Sequence, residues 1–178
     1  MIMNPEQAFQ LIKGAPISSG IVPPIWADLG SGSGIFTEAL ARMFPGRSII
    51  FAVDKGPGIL SQTTPGGVSI QALQLDFEKG DTGLRNLDGI LMANSLHYVK
   101  DKPAFLGRLK ACMNPGAPFL IVEYDSDRPV PTWVPYPVSY ASLQPLFAAA
   151  GYAMVQKLAT HPSVYHGGDL YAAWIEPV

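Results

Sequence analysis

Three glycines alternate at positions 30, 32 and 34, directly behind an acid, in the run Ala27-Asp28-Leu29-Gly30-Ser31-Gly32-Ser33-Gly34. Glycines at that density let a backbone turn tightly and approach a ligand with no Cβ in the way. An amphipathic helix is expected at once, so free N–H groups at its start face whatever sits in the turn. Such a loop suits a nucleotide-like ligand, and spacing narrows the choice. A triphosphate loop needs Gly-Lys-Ser/Thr after the turn, whereas Gly34 is followed by Ile35 and Phe36. A dinucleotide fingerprint needs G-x-G-x-x-G. Counting from Gly30 the sixth residue is Ile35, and counting from Gly32 it is Thr37. Both of those ligands are set aside.

The loop needs a frame, and short apolar runs alternating with helical stripes supply one. The spacing predicts a helix from Asn4 to about Lys13, ended by Gly14, and a strand over Ile25–Leu29. Behind the glycines, Ile35, Phe36, Ala39, Leu40, Met43 and Phe44 form one helical face, stopped by Pro45-Gly46. Strands follow at Ser48–Val53, Val68–Leu75 and Leu87–Ala93, with room for only short helical turns between them. A helix over Lys102–Met113 leads to a strand at Pro118–Tyr124, then to a Pro- and aromatic-rich loop over 125–139. Ser142 is the expected N-cap of the last helix, with Pro145 in its first turn and Gly151 at C′. Strands at Tyr152–Leu158 and Asp169–Ile175 close the chain. The loop joining them, ending in Gly167-Gly168, is expected to hold His161 and His166 on the solvent side.

Strands alternating with helices mean an α/β fold: a seven-stranded, mostly parallel, doubly wound sheet. The last strand–loop–strand leaves no room for a crossover helix, so strand seven is expected antiparallel to its neighbour. At 178 residues a single domain, 1–178, is expected, with residues 1–22 as an N-terminal helix and a segment that caps the ligand. In such sheets ligands lie beyond the carboxyl ends of the strands.

Composition removes other classes. Charged residues are 15% of the chain, the net charge is −2, and the 12 Lys and Arg form no run, which argues against a nucleic-acid surface. A single cysteine, Cys112, excludes an internal disulfide and a cysteine-based metal cage, so no metal is expected. It fits a small buried hydrophobe in a reducing compartment. With no signal-peptide pattern and no apolar run of membrane-spanning length, the expectation is a cytoplasmic protein with no membrane partner.

Asp28-Leu29-Gly30-x-Gly32-x-Gly34 resembles motif I of the class I S-adenosylmethionine-dependent methyltransferases, and further motifs follow in order. Asp54 ends the second strand, 24 residues after Gly30; Leu75-Asp76-Phe77 ends the third. Leu87 to Val99, with Asn94-Ser95-Leu96-His97-Tyr98, resembles the family's fourth strand and following loop, and Leu109 to Ala117 its turn into strand five. The resemblance runs from about residue 25 to the C-terminus. It implies the Rossmann-like methyltransferase fold and S-adenosyl-L-methionine as cofactor. Asp54 would take the ribose hydroxyls; Asp76 would take the adenine amino group, with Phe77 against the ring. Asp28 would anchor the loop and face the methionine ammonium, and Gly30, Ser31, Gly32, Gly34, Lys55, Asn94 and Ser95 complete the cofactor set. The sequence departs from the family at Lys55-Gly56-Pro57-Gly58, where a helix start is usual.

Methyl transfer from a sulfonium is an in-line displacement in which the protein supplies alignment and excludes water. Groups that could help as a base or orienter lie at the ends of strands four and five: His97, Glu123 and Tyr124. His97 can equally be a packed structural residue, and Glu123 can equally satisfy backbone donors. Tyr98, Trp133 and Tyr136 are candidate walls for the acceptor, although an aromatic loop can also cover core. The resemblance implies methyl transfer to a small-molecule acceptor. Two alternatives stay open: an RNA or protein methyltransferase, disfavoured by Asn94-Ser95-Leu96-His97 where a Pro-Pro-Tyr motif would stand, and a non-catalytic cofactor-binding relative acting as sensor or scaffold. A homodimer also stays open.

Overall fold

The apolar runs Ile25–Leu29, Gly89–Ala93 and Phe119–Tyr124 lie side by side in one sheet because they are too apolar to expose either face. The computed structural model describes residues 3–17, 20, 22–163 and 168–177. In chain order the elements are α1 (Pro5–Ile12), β1 (Ile25–Leu29), α2 (Ile35–Ala41), β2 (Ile49–Asp54), β3 (Gln62–Thr63), β4 (Ser69–Gln74) and β5 (Gly89–Ala93). A 3₁₀ turn over Leu96–Tyr98 follows, then α3 (Lys102–Lys110), β6 (Phe119–Tyr124), α4 (Tyr140–Ala149), β7 (Met154–His161) and β8 (Leu170–Glu176).

The sheet has eight strands in the order β3-β4-β2-β1-β5-β6-β8-β7. The five strands β4, β2, β1, β5 and β6 pair in parallel, whereas β8 runs antiparallel to both β6 and β7. The expected antiparallel closing strand is therefore present. The extra strand, β3, is two exposed residues paired antiparallel with the β4 edge. It carries no apolar pattern that a sequence reading could detect.

Two cores sandwich the sheet. On one side Trp26, Ile50, Leu91, Leu120 and Trp174 pack under α1 and α2; on the other Ile90, Phe119, Ile121 and Tyr171 pack under α3 and α4. Trp26 stacks on Trp174 and meets Phe44 edge-on, and Gly89 in the adjacent strand lies beneath its ring. Helix α1 begins in a reciprocal capping box between Asn4 and Gln7. It lies against α2, with Arg42 paired to Glu6.

Some local expectations are corrected. Ser139, not Ser142, is the N-cap of α4: its hydroxyl accepts from the Ser142 N–H and donates to Asp127, which fixes the helix start earlier. Pro145 therefore sits inside the helix on an exposed face, where water can serve the freed carbonyl. α2 stops at Ala41, and its last apolar residues continue in tight i→i−3 turns, Met43 N–H to Leu40 and Phe44 N–H to Ala41. His161 ends strand β7, half-buried, rather than lying in the loop; His166 and Gly167 lie outside the described residues. Of residues 1–22, expected to cap the ligand, the described residues just before β1 lie elsewhere. Pro16, Ile17, Gly20 and Val22 line a hollow with Pro24, Asp88 and Pro118, at the amino ends of β1, β5 and β6. The chain must pass there to enter β1, so these residues sit at the edge opposite the glycine loop. Residues 1–2, 18–19 and 21 lie outside the described residues.

Candidate functional site

The parallel strands end together, and their carboxyl ends carry the residues singled out by type and spacing. β1 delivers Asp28 into the core, 1% exposed, just before the chain turns through Gly30, Gly32 and Gly34, all at positive φ. The Gly30 and Ser31 N–H groups donate to Val53 O at the end of β2, at 2.8 and 3.0 Å. A side chain at Gly30 would overlap Ser95, whose hydroxyl donates to Leu29 O at 2.6 Å. The glycine there is needed because the turn passes directly under the loop that follows β5. Ser95 is thus a fastener between β1 and β5.

Asp28 accepts from the Thr37 hydroxyl at 2.6 Å through Oδ2, while Oδ1 is buried with no partner. Burial raises its carboxyl to about 7, against the downward pull of the Thr37 hydrogen bond and with a further upward push from Asp54. Thr37 has no signal of its own in the sequence beyond lying on the inner face of α2.

Asp54 is half-buried at the end of β2 and accepts the Gly32 N–H on Oδ2 and the Gly56 N–H on Oδ1, both at 2.9 Å. A carboxylate offers about four acceptor positions, so each oxygen retains capacity for a hydroxyl. The segment after it, where the family usually starts a helix, folds back over the glycine loop. Gly58 lies against Gly32 O, and the Ile59 side chain covers Gly34 so closely that a Cβ there would overlap it. Lys55 is exposed, with its ammonium 5.8 Å from the Tyr98 ring centre.

Asp76 is held by its own turn: it accepts the Glu78 N–H at 3.1 Å and pairs with exposed Lys79 at 3.3 Å. Phe77 is buried against Phe105, its edge beneath Gly30, so it supports the loop from below. Asn94 takes φ 54 at the end of β5, strained for a residue with a side chain, and its Oδ1 is buried without a partner.

Beyond Asn94 lies a buried acid–imidazole pair. The 3₁₀ turn places His97 at 2% exposure, and β6 brings Glu123 to it at 1%. Glu123 accepts the His97 backbone N–H at 3.1 Å and lies 2.7 Å from Nδ1 through its second oxygen. A carboxylate at Nδ1 holds the proton on that nitrogen, so in the neutral ring Nε2 is the acceptor. Nε2 is buried and has no partner. Four buried side-chain polar atoms lack a partner among the described residues: Asp28 Oδ1, Ser31 Oγ, Asn94 Oδ1 and His97 Nε2. All four lie at the carboxyl end of the sheet. Buried polar groups are almost always satisfied, so their concentration at one edge marks a place that a ligand completes.

A cavity of about 460 Å³ opens from this point, with Asn94 and His97 among its lining residues and Tyr98, Tyr124, Trp133 and Arg128 around them. Burial, followed by the charges of Glu123, Asp54 and Glu78, raises the Tyr98 phenol, so it stays protonated at neutral pH. The aromatic loop is held rather than loose. The Tyr136 N–H donates to His97 O at 3.0 Å, and buried Lys102 Nζ donates to Tyr136 O at 2.6 Å and Val99 O at 2.9 Å. Tyr136 is thereby a strut and is not among the lining residues, whereas Trp133 is, at 69% exposure. Arg128 and Lys102 were not singled out from sequence, since an isolated Arg or Lys beside prolines carries no pattern.

The architecture recurs among solved structures. The 1,6-didemethyltoxoflavin-N1-methyltransferase of Burkholderia thailandensis, solved with 1,6-didemethyltoxoflavin and S-adenosylhomocysteine, superposes with a TM-score of 0.64 at 20% identity, covering 88% of this chain and 72% of that one. The YcgJ protein of Bacillus subtilis gives 0.68 at 14% identity, covering 97% and 98%. Human N-acetylserotonin methyltransferase, solved with S-adenosylmethionine, gives 0.64 at 19% identity; this chain, 96% covered, spans 51% of it. At these identities the likeness establishes the fold. No curated protein matches the chain by sequence. The family model described as a methyltransferase domain matches residues 11–176, almost the whole chain, and the chain belongs to that family.

Proposed function

We propose that this methyltransferase uses S-adenosyl-L-methionine to methylate a small-molecule acceptor, with His97 as the base that takes the acceptor's proton. The observation that carries the reading is the set of unpartnered buried atoms, Asp28 Oδ1, Ser31 Oγ, Asn94 Oδ1 and His97 Nε2, gathered at the strand ends beside a cavity. When bound, the cofactor supplies a methyl group on a positively charged sulfur. The residues suit such a molecule: Asp28 Oδ1 for its ammonium, Asp54 for ribose hydroxyls, and Asp76 for the adenine edge. The solved relatives that hold S-adenosylmethionine or its demethylated product support the assignment.

The chain's own work is binding, orientation and one proton. Glu123 fixes the His97 tautomer and stabilises the imidazolium that forms once Nε2 accepts a proton from the acceptor. Both groups are already buried, so neither is reoriented by solvent during the step. Tyr124, beside the pair, lines the acceptor cavity. Small-molecule relatives and an aromatic cavity support a small acceptor over an RNA or protein one, and the buried thiol of Cys112 suits the cytoplasm. Among the described residues no helix is long and apolar enough to cross a membrane.

A phenolic acceptor tests the base. With labelled cofactor and para-hydroxycinnamate, His97→Ala is expected to lower the transfer rate by about 10²–10⁴, the usual contribution of a positioned base, with cofactor affinity unchanged. Equal rates for His97→Ala and the parent would remove His97 from the chemistry.

A further inference from the structure

The acceptor cavity is chemically graded, and the gradation names its ligand. Its floor holds two unpartnered buried acceptors, Asn94 Oδ1 and His97 Nε2, which call for a donor such as a hydroxyl. Its walls are aromatic and apolar: Tyr98, Tyr124 and Trp133. Arg128 supplies the only fixed charge among the described lining residues.

Among the described residues nothing neutralises that charge. The two acids nearest in sequence are committed elsewhere. Asp127 accepts the Ser139 N–H and the hydroxyls of Ser139 and Ser142, and Asp125 accepts the Tyr140 N–H and pairs with Lys157. Among the described residues the Arg128 guanidinium makes no hydrogen bond or ion pair, although its backbone is fixed by an N–H bond to Ser126 Oγ at 3.1 Å. Just past it the loop closes on itself, with Val130 and Val134 exchanging backbone hydrogen bonds at 3.0 and 2.8 Å. This hairpin presents Trp133 as a pre-formed wall.

On the reading of this cavity as the acceptor site, we infer that Arg128 is its specificity-determining residue and that the acceptor is a planar hydroxylated aromatic molecule bearing a carboxylate. Its hydroxyl meets His97 and Asn94, its ring lies among Tyr98, Tyr124 and Trp133, and its carboxylate meets the guanidinium. A fork of N–H donors matches a carboxylate in a way that a lone ammonium does not.

Calorimetry with ring-matched probes tests this without turnover. Para-hydroxybenzoate and para-hydroxycinnamate are compared with their carboxamides, on the parent protein saturated with S-adenosylhomocysteine. The carboxylates are expected to bind about tenfold tighter than the amides, as a charge-assisted pair would give. Arg128→Gln abolishes that preference, Arg128→Lys keeps part of it, and Trp133→Leu weakens acid and amide alike. Equal binding of acid and amide by the parent, an undiminished preference in Arg128→Gln, or no binding of any probe at millimolar concentration would each overturn the inference. Titration of S-adenosylhomocysteine alone separates the outcomes: if it binds while the probes show no preference, only the Arg128 assignment fails.

Discussion

Asp28 is the residue where the fold and the ligand make opposing demands. A carboxylate buried to 1% exposure with one free oxygen is costly to ionise, and its carboxyl stands raised from 3.8 to about 7. The folded protein holds this proton to higher pH than the unfolded chain does. Its contribution to stability is therefore complete below about pH 4 and is lost as pH rises through about 7, on the order of 4 kcal/mol in all. Asp28→Asn is expected to abolish that loss, so the ligand-free variant outlasts the parent above pH 7 in denaturant melts. A cation on Oδ1 reverses the balance by favouring the carboxylate. Cofactor binding near pH 6 should then release close to one proton, seen as a dependence of calorimetric heat on the buffer's ionisation enthalpy, and Asp28→Asn should show none. Heat independent of buffer in the parent would mean that the ammonium seats elsewhere.

At the scale of elements, packing decides what spacing cannot. Trp26 in β1 stands opposite Gly89 in β5, and its ring fills the volume where a side chain on Gly89 would go. Gly89→Ala is expected to cost about 1–3 kcal/mol in denaturant unfolding, as overpacking of a full core does, and Trp26 fluorescence should shift with it. An unchanged midpoint would contradict that packing. The strands β1, β2, β4, β5 and β6 were legible because unbroken runs such as Ile49 to Val53 suit only a sheet covered on both faces. The α4 start was not, because Asp127 holds Ser139 across the loop through both its N–H and its hydroxyl, a tertiary contact absent from local pattern. Strand β3 was hidden for a similar reason: Gln62 and Thr63 are exposed and owe their pairing to the β4 edge.

Across the whole molecule, parallel strands bring distant residues to one edge. Asp28, Asp54, Asp76, Asn94 and Glu123 each follow or end a strand that starts at the opposite edge, so residues far apart in the chain come to one edge of the sheet. Residues tied to strand ends can be singled out from sequence for that reason, and the proposed cofactor contacts are of that kind. The acceptor side was only partly legible. His97 and Glu123 were visible as residue types, but their 2.7 Å pairing exists only because β5 and β6 are neighbours. Arg128 gained meaning only when the loop folded beside them. The account turns on the cofactor, and calorimetry of the ligand-free protein with S-adenosylmethionine and S-adenosylhomocysteine tests it most directly. It predicts binding of both at micromolar concentration and a loss of about tenfold or more in Asp54→Ala, whose carboxylate would hold the ribose. No binding at millimolar cofactor, or equal affinity in Asp54→Ala, would contradict it.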